Sequence, residues 1–315
     1  MATAGRAAAA LLRLAARVRR GARDGWTLHL HTNGHNPKSW LVALACGLAA
    51  RRSPGRVLTL HSGMVPAYLG TGRRWRRALA RLALVPYGRV LCVNPEIREA
   101  LAGLGVDRRR LGVLPAYLAP PAAQAGPALP LGDALERWLA ARSPLLVTTL
   151  FFRPEYGFEV LLEALARLAG RHPGLGCLVL GSGEGEAAAR RLVAERGLRD
   201  RLFLSGDVAH EICLAAMARA DLFVRPTLVD GDALSVREAL ALGLPVVASD
   251  VGVRPPGAVL FPPGDAGALA AALDRCVRDA ALRARLGAAA RRTATRRFDP
   301  DVFAGEFLKL YERAA

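Results

Sequence analysis

Lysine is nearly missing from this chain of 315 residues: of its 44 basic residues only Lys38 and Lys309 are lysine, and the rest are arginine. Cysteine is scarce. Cys46, Cys92, Cys177, Cys213 and Cys276 are scattered and form no Cys-x-x-Cys pair, which argues against a disulfide framework or a thiolate zinc site and fits a reducing compartment. No uncharged apolar run approaches the roughly 18 residues that a bilayer-spanning helix needs. Neither a GxxxxGK[ST] phosphate loop nor a GxSxG nucleophile elbow occurs, which removes two common routes to nucleotide hydrolysis and acyl transfer. Carboxylates are missing from one part of the chain. Residues 1–125 hold 20 Arg or Lys against 4 Asp or Glu, whereas residues 126–315 hold 24 against 23, so nearly all of the net charge of +17 sits in the first part.

What is present is ample apolar sequence, 52% of the chain, enough to bury a large core and exclude disorder. The opening residues, 1–23, read as a basic amphipathic helix, with Leu11, Leu12, Ala15 and Val18 on one side. Arg13, Arg17, Arg19 and Arg20 break the run that a secretory signal would need. Strand-like and helix-like segments then alternate: strands at 26–31, 56–61, 89–93 and 111–115, with helices at 38–51, 73–84 and 95–103. An uncharged Pro- and Ala-rich stretch, 119–130, reads as a linker. Alternation resumes to 263, and helical pattern closes the chain. Such repetition on both sides of a linker predicts two parallel-sheet α/β domains, with a ligand beyond the strand carboxyl ends in a cleft between them. The predicted boundaries are 1–118 for the basic domain, 119–130 for the linker, 131–298 for the second domain and 299–315 for a closing helix.

Residues 225–252, RPTLVDGDALSVREALALGLPVVASDVG, are the most informative. Asp230 falls in the loop after a strand and Glu238 on the helix that follows. Carboxylates accept paired hydrogen bonds from vicinal hydroxyls, as on a ribose or a hexose. Between them lies a helix N-terminus around Ala233, Leu234 and Ser235, whose N–H groups and positive dipole end suit a diphosphate. A plainer account is that Asp230 and Asp232 cap the helix while Glu238 is solvated or ion-paired. The stretch GSGEGE, 181–186, follows a strand and opens a helix, so Gly181 and Gly183 form either a phosphate-facing turn or only a tight connection.

These residues resemble the donor site of retaining glycosyltransferases with the two-domain GT-B fold, the family 4 group. Pro226-Thr227, Asp230, Gly231, Glu238-Ala239, Gly243, Pro245-Val246-Val247-Ala248 and Gly252 match that group's motif without a gap. GFEVLLEALARL at 157–168 and LFPPGDAGALAAAL at 260–273 match too. The resemblance implies two Rossmann-like parallel-sheet domains facing across a cleft, the first of them acceptor-side and short. It also implies a closing helix that crosses back to the first domain. By the same resemblance Glu238 holds the ribose hydroxyls, Asp230 contacts the donor sugar near the reacting centre, and His61 approaches that sugar from the first domain. His31, Asn33 and Gly34 fall on the acceptor side. The donor is a nucleoside-diphosphate sugar and the acceptor a lipid-linked or envelope glycan, with no metal and no cofactor. The setting implied is the cytoplasmic face of a membrane.

The chain departs from the group in three ways. In LFFRPEYG, 150–157, Phe151 and Tyr156 stand where the group carries the Arg and Lys that clamp the diphosphate, leaving Arg153, Arg225 or Arg237 as substitutes. Asp230 replaces a Glu. The group's first strand, glycine-rich loop and first helix have no counterpart before Trp26. Two of these departures, the altered clamp and the short first domain, motivate an alternative reading, a catalytically silent relative that binds or acts as a partner subunit. An epimerase of the same fold is a third reading, disfavoured by the acidic motif. The basic cluster RRWRRALARLALVPYGR, 73–89, reads either as a solvated basic face or as a surface for anionic lipid; nucleic acid fits less well, since no stacking motif accompanies the charge.

Overall fold

The computed structural model describes residues 2–71, 73–114, 131–297, 304–305, 307–309 and 311. The described residues of 1–116, 230–232 and 300–315 form one compact unit, and those of 117–229 and 233–299 form another. The predicted linker, 119–130, lies outside the described residues. Of the predicted closing helix, residues 304–305, 307–309 and 311 are helical and group with the first unit.

The first unit runs α1 (Ala2–Arg23), β1 (Leu28–Thr32), α2 (Pro37–Ala49), β2 (Arg56–Leu60), α3 (Val65–Gly70), α4 (Arg74–Leu84), β3 (Arg89–Cys92), α5 (Pro95–Ala102) and β4 (Leu111–Val113). Its four strands are parallel in the order β1-β2-β3-β4. A sheet that advances in one direction by right-handed crossovers carries its connecting helices on one face. There Leu58, Leu60, Val90 and Cys92 pack with Trp40, Ala43, Ala80, Leu84, Ile97 and Leu101. The alternate strand positions, Val57 and Leu91, pack on the opposite face with Leu114, Phe307 and Tyr311. Two helices start by the same device: Asn36 and Asn94 accept from the backbone N–H three residues on, each at 2.9 Å, and proline follows each at the first helical position.

The second unit runs α6 (Asp133–Ala140), β5 (Leu145–Thr149), α7 (Phe158–Ala169), β6 (Gly176–Leu180), α8 (Glu186–Glu195), β7 (Leu202–Leu204), α9 (His210–Ala218), β8 (Leu222–Arg225), α10 (Leu234–Ala241), β9 (Val246–Ser249), β10 (Val259–Phe261), α11 (Ala266–Arg278) and α12 (Ala280–Arg297). Its six parallel strands lie in the order β10-β9-β8-β5-β6-β7. The order reverses at β5, so helices cover both faces. Leu146 and Val179 face a core shared with α7 and α11. Val147 and Leu178 face one shared with α9 and α10. Such a reversal leaves a crevice at the strand carboxyl ends, here beside β5 and β8.

Two helices, α3 and α6, fall where the sequence reading had none. Six residues with a proline, as in α3, carry too little periodicity to register, and α6 directly follows the proline-rich stretch. The helix that carries Glu238 starts at Leu234. Ala233 is its extended N-cap, and no side chain caps it.

Candidate functional site

In the second unit a cavity of about 310 Å³ opens at the carboxyl ends of β5, β6 and β8. Thr149, Phe151, Tyr156, Gly181, His210 and Arg225 are among its lining residues. Each arrives by the parallel topology: the chain leaves β5 through Phe151, β6 through Gly181 and β8 through Arg225. Gly181 holds φ +136°, and a Cβ on it would overlap the Leu150 carbonyl oxygen. Only glycine lets the two strand exits approach this closely. Gly157 is similarly placed, at φ +68° against the Pro226 carbonyl oxygen.

Arg225 is buried. Its Nη1 donates to the Thr149 carbonyl oxygen at 2.9 Å, and its guanidinium lies 5.2 Å from the centre of the Tyr156 ring. Tyr156 in turn meets the half-exposed Phe151 edge to face, with centroids 5.7 Å apart. The two positions expected to be cationic thus form one aromatic wall, and the cation facing the cavity is Arg225. Of the other two candidates, Arg153 is exposed and lines a separate groove of about 320 Å³ with Gly157 and Leu228. Arg237 is buried on α10.

Glu238 is buried in the middle of α10, and its Oε1 lies 2.7 Å from Nε2 of His210 at the first position of α9. His210 has no motif to announce it. It pairs with a residue 28 positions away, and only the adjacency of α9 and α10 reveals it. At the α10 N-terminus Ala233 is buried, Ser235 half-buried and Leu234 exposed, and the first-turn N–H groups have no acceptor within the helix. Gly183, at φ +147°, sits against the Phe152 backbone and is not among the cavity-lining residues.

The first unit holds a second cluster. His29 and His31 alternate along β1 and so share a face, their rings 4.2 Å apart. His31 Nδ1 lies 2.9 Å from Nε2 of His61, just past β2. His29 bridges Tyr311 and Thr59, each at 2.7 Å. Desolvation first, then the charges of His31 and His61, push the His29 imidazole down to about 4. Burial also lowers His31, and burial with the nearby His31 lowers His61. All three are therefore neutral at pH 7. Among the described residues no group of three His, Cys, Asp or Glu could hold a metal ion.

Asp230 and Gly231 belong to this unit. Asn94 Nδ2 donates to the Gly231 carbonyl oxygen at 3.4 Å, and a Cβ on Gly231 would press on the His61 carbonyl oxygen. His61, His31 and the Asp230–Gly231 segment are thus brought together. Asn33 is exposed nearby in sequence, and Gly34, at φ +73°, is buried against Leu60 and Val65. Sequence reasoning missed Thr59, Asn94 and Tyr311, since hydrogen bonds between distant segments leave no spacing signal.

Two family models match the chain: Glycosyl transferases group 1 over residues 140–293 and Glycosyltransferase Family 4 over residues 3–116. A phosphatidyl-myo-inositol mannosyltransferase of Mycobacterium leprae is 34% identical over 189 residues, 56% of this chain and 49% of that protein. A 2-deoxystreptamine glucosyltransferase of Streptomyces kanamyceticus is 28% identical over 278 residues, 81% of this chain and 68% of that one. The chain spans about half or less of the length of the curated relatives it matches most strongly. Among solved structures, Anabaena HepE in complex with UDP and glucose superposes with a TM-score of 0.78 at 19% identity, covering 94% of this chain and 80% of that one.

Proposed function

We propose that the chain, which glycosyltransferase family models match over residues 3–116 and 140–293, moves a sugar from a nucleoside-diphosphate sugar to a hydroxyl acceptor with retention of configuration. The observation that carries this reading is the buried Glu238 carboxylate on α10, hydrogen-bonded to a cavity-lining His210 at the carboxyl edge of a reversing parallel sheet. A buried carboxylate hydrogen-bonded to an exposed histidine suits a ligand's paired hydroxyls: they replace the histidine and leave the carboxylate satisfied. In this reading Glu238 holds the ribose. Arg225 and the N–H groups at Ala233, Leu234 and Ser235 face the diphosphate. Departure of that diphosphate builds negative charge, which a fixed cation and helix N–H groups stabilise without reorganising. Arg153 keeps at most an outer role, being exposed.

The leaving diphosphate serves as the base for attack on the same face, so the reaction calls for no metal and no strong protein nucleophile. Asp230 and His61 attend the sugar, while His31, Asn33 and Gly34 belong to the acceptor side. The acceptor class proposed is a lipid-linked or envelope glycan, met at the cytoplasmic face of a membrane. The mannosyltransferase relative, whose name specifies a phosphatidylinositol acceptor, supports that choice.

Calorimetric titration with UDP, GDP, ADP and TDP tests the donor site. One nucleotide is expected to bind, and Glu238→Ala is expected to weaken it about tenfold or more, the cost of losing charge-assisted hydrogen bonds. Absence of binding by all four would overturn the proposal. A second reading, a silent relative, is favoured by the aromatic wall of Phe151 and Tyr156 in place of two cations. A nucleotide that binds while its sugar is neither transferred nor slowly hydrolysed would select that reading.

A further inference from the structure

The second unit holds another cavity, which shares no lining residue with the one beside Arg225. It lies along α7 and α11, which pack on one another. It encloses about 520 Å³, within the range of small-molecule sites, roughly 300–1,000 Å³. Arg167, Arg171, Arg275 and Arg278 line it, together with the carboxylates Asp274 and Asp279. Its floor is made of small residues. Gly267, Ala270 and Ala271 stand three and four positions apart on α11 and so share a face. A Cβ on Gly267 would come within 2.8 Å of an Arg167 guanidinium nitrogen, so the missing side chain lets that cation lie against α11.

The carboxylates present do not satisfy these cations. Asp274 is shared by three groups: His172 Nε2 at 2.7 Å, Arg171 at 3.3 Å and Arg278 at 3.5 Å. Asp279 serves the next helix, where its Oδ1 accepts from the Leu282 N–H at 2.7 Å. Arg167 pairs at 2.5 Å with Glu163, which is not a lining residue. The Arg275 guanidinium has no carboxylate partner among the described residues. Arg167 and Arg171 lie four residues apart at the end of α7, and Arg275 and Arg278 three apart on α11. Like charges at these spacings repel across one helical turn. Four guanidinium groups gathered over a small-residue floor therefore oppose folding, and an anion between them removes the repulsion.

We propose that this groove binds a small ligand carrying two or more phosphate groups. Guanidinium forks pair with phosphate oxygens two at a time. From Gly267, beside Arg167, to Arg278 the helix rises about 16 Å. That is more than one phosphate spans, so the arginines at the two ends call for separate anionic groups. The alanine floor accepts the carbon skeleton or bridging oxygens between them. Among the described residues lining the groove none is aromatic. A nucleobase therefore has nothing to stack on, and the ligand is not a nucleotide. The groove holds such a ligand whether or not the donor cavity is active.

The test is calorimetric titration of the full chain in nucleotide-free buffer with tripolyphosphate, a hexose 1,6-bisphosphate and inorganic phosphate. One tripolyphosphate or one bisphosphate should bind per chain, and inorganic phosphate at least tenfold more weakly. Binding of tripolyphosphate alone assigns a phosphate chain; binding of the bisphosphate assigns a phosphorylated carbon skeleton. Either upholds the site. Arg171→Gln with Arg275→Gln should weaken binding about tenfold or more. Ala271→Glu, which sets a carboxylate on the floor, should abolish it. All three positions are exposed, so thermal unfolding should stay cooperative. Arg73→Gln with Arg74→Gln, in the first unit, should leave the affinity unchanged, and so should Glu238→Ala. An equal loss in the first-unit variant would show general attraction to a basic chain and overturn the proposal. A loss in Glu238→Ala would overturn it by placing the anion in the donor cavity. Binding of neither probe, several weak equivalents per chain, indifference to Ala271→Glu, or inorganic phosphate binding as tightly as the bisphosphate would overturn it as well. Nucleotide titration of the groove variants reads the donor site separately, so failure of either proposal leaves the other standing.

Discussion

At the scale of single residues, the two polar clusters differ in what holds them. Among the described residues Glu238 is hydrogen-bonded to the exposed His210. If His210 competes with ribose hydroxyls for that carboxylate, His210→Ala should leave nucleotide affinity unchanged or raise it a fewfold, opposite to Glu238→Ala; calorimetry distinguishes the two signs. His29 is held by Tyr311 and Thr59 and is kept neutral by burial. An unfolded histidine titrates near 6.5, and this one titrates at about 4 when folded. Between those values the unfolded chain binds more protons, so stability is full above pH 6.5 and falls as the pH drops towards 4. His31 and His61 shift in the same direction. Urea midpoints measured across this window should fall, and His29→Gln should flatten the slope. The cysteines serve packing: burial pushes Cys92, Cys177 and Cys213 up to about 12 and raises Cys46 and Cys276. Thiol reagents should therefore react slowly until the protein unfolds.

At the scale of elements, glycines and caps set where strands end and helices begin. Gly181→Ala combines a disallowed φ with overlap on the Leu150 carbonyl and should destabilise by about 2 kcal/mol or more by chemical denaturation. Asn36 and Asn94 make the same cap, so each loses about 1 kcal/mol on substitution by alanine. Asn94 is fully buried and also donates to Gly231, so Asn94→Ala should cost more, about 2 kcal/mol with the orphaned carbonyl included. Equal losses at the two positions would show that the bond to Gly231 contributes nothing.

At the scale of the whole molecule, two parallel sheets of different topology account for two kinds of site. The six-stranded sheet reverses direction and so opens a crevice at β5 and β8, where Arg225 and the aromatic wall meet. The four-stranded sheet advances one way. Its second face is open to the closing helical residues, and there His29 meets Tyr311 while Phe307 and Tyr311 cover Val57 and Leu91. Removing the chain from residue 300 onward should therefore expose His29. Its imidazole should then titrate closer to 6.5, a shift that NMR titration of the ring protons would measure.

The sequence by itself determined the two α/β units, the boundaries of most strands and helices to within two or three residues, the charge asymmetry, and the acidic motif around Asp230 and Glu238. These are local or periodic properties, written in neighbouring residues. The resemblance to the family 4 group also put Phe151 and Tyr156 at positions where that group carries two cations. Only the tertiary structure decided which cation faces the cavity, Arg225 rather than Arg153, and which side chain holds Glu238. It alone joined His29 to Tyr311, 282 residues away. Such pairings depend on strand order and on which helix faces adjoin, and hydrogen bonds between distant segments leave no periodic trace in the chain.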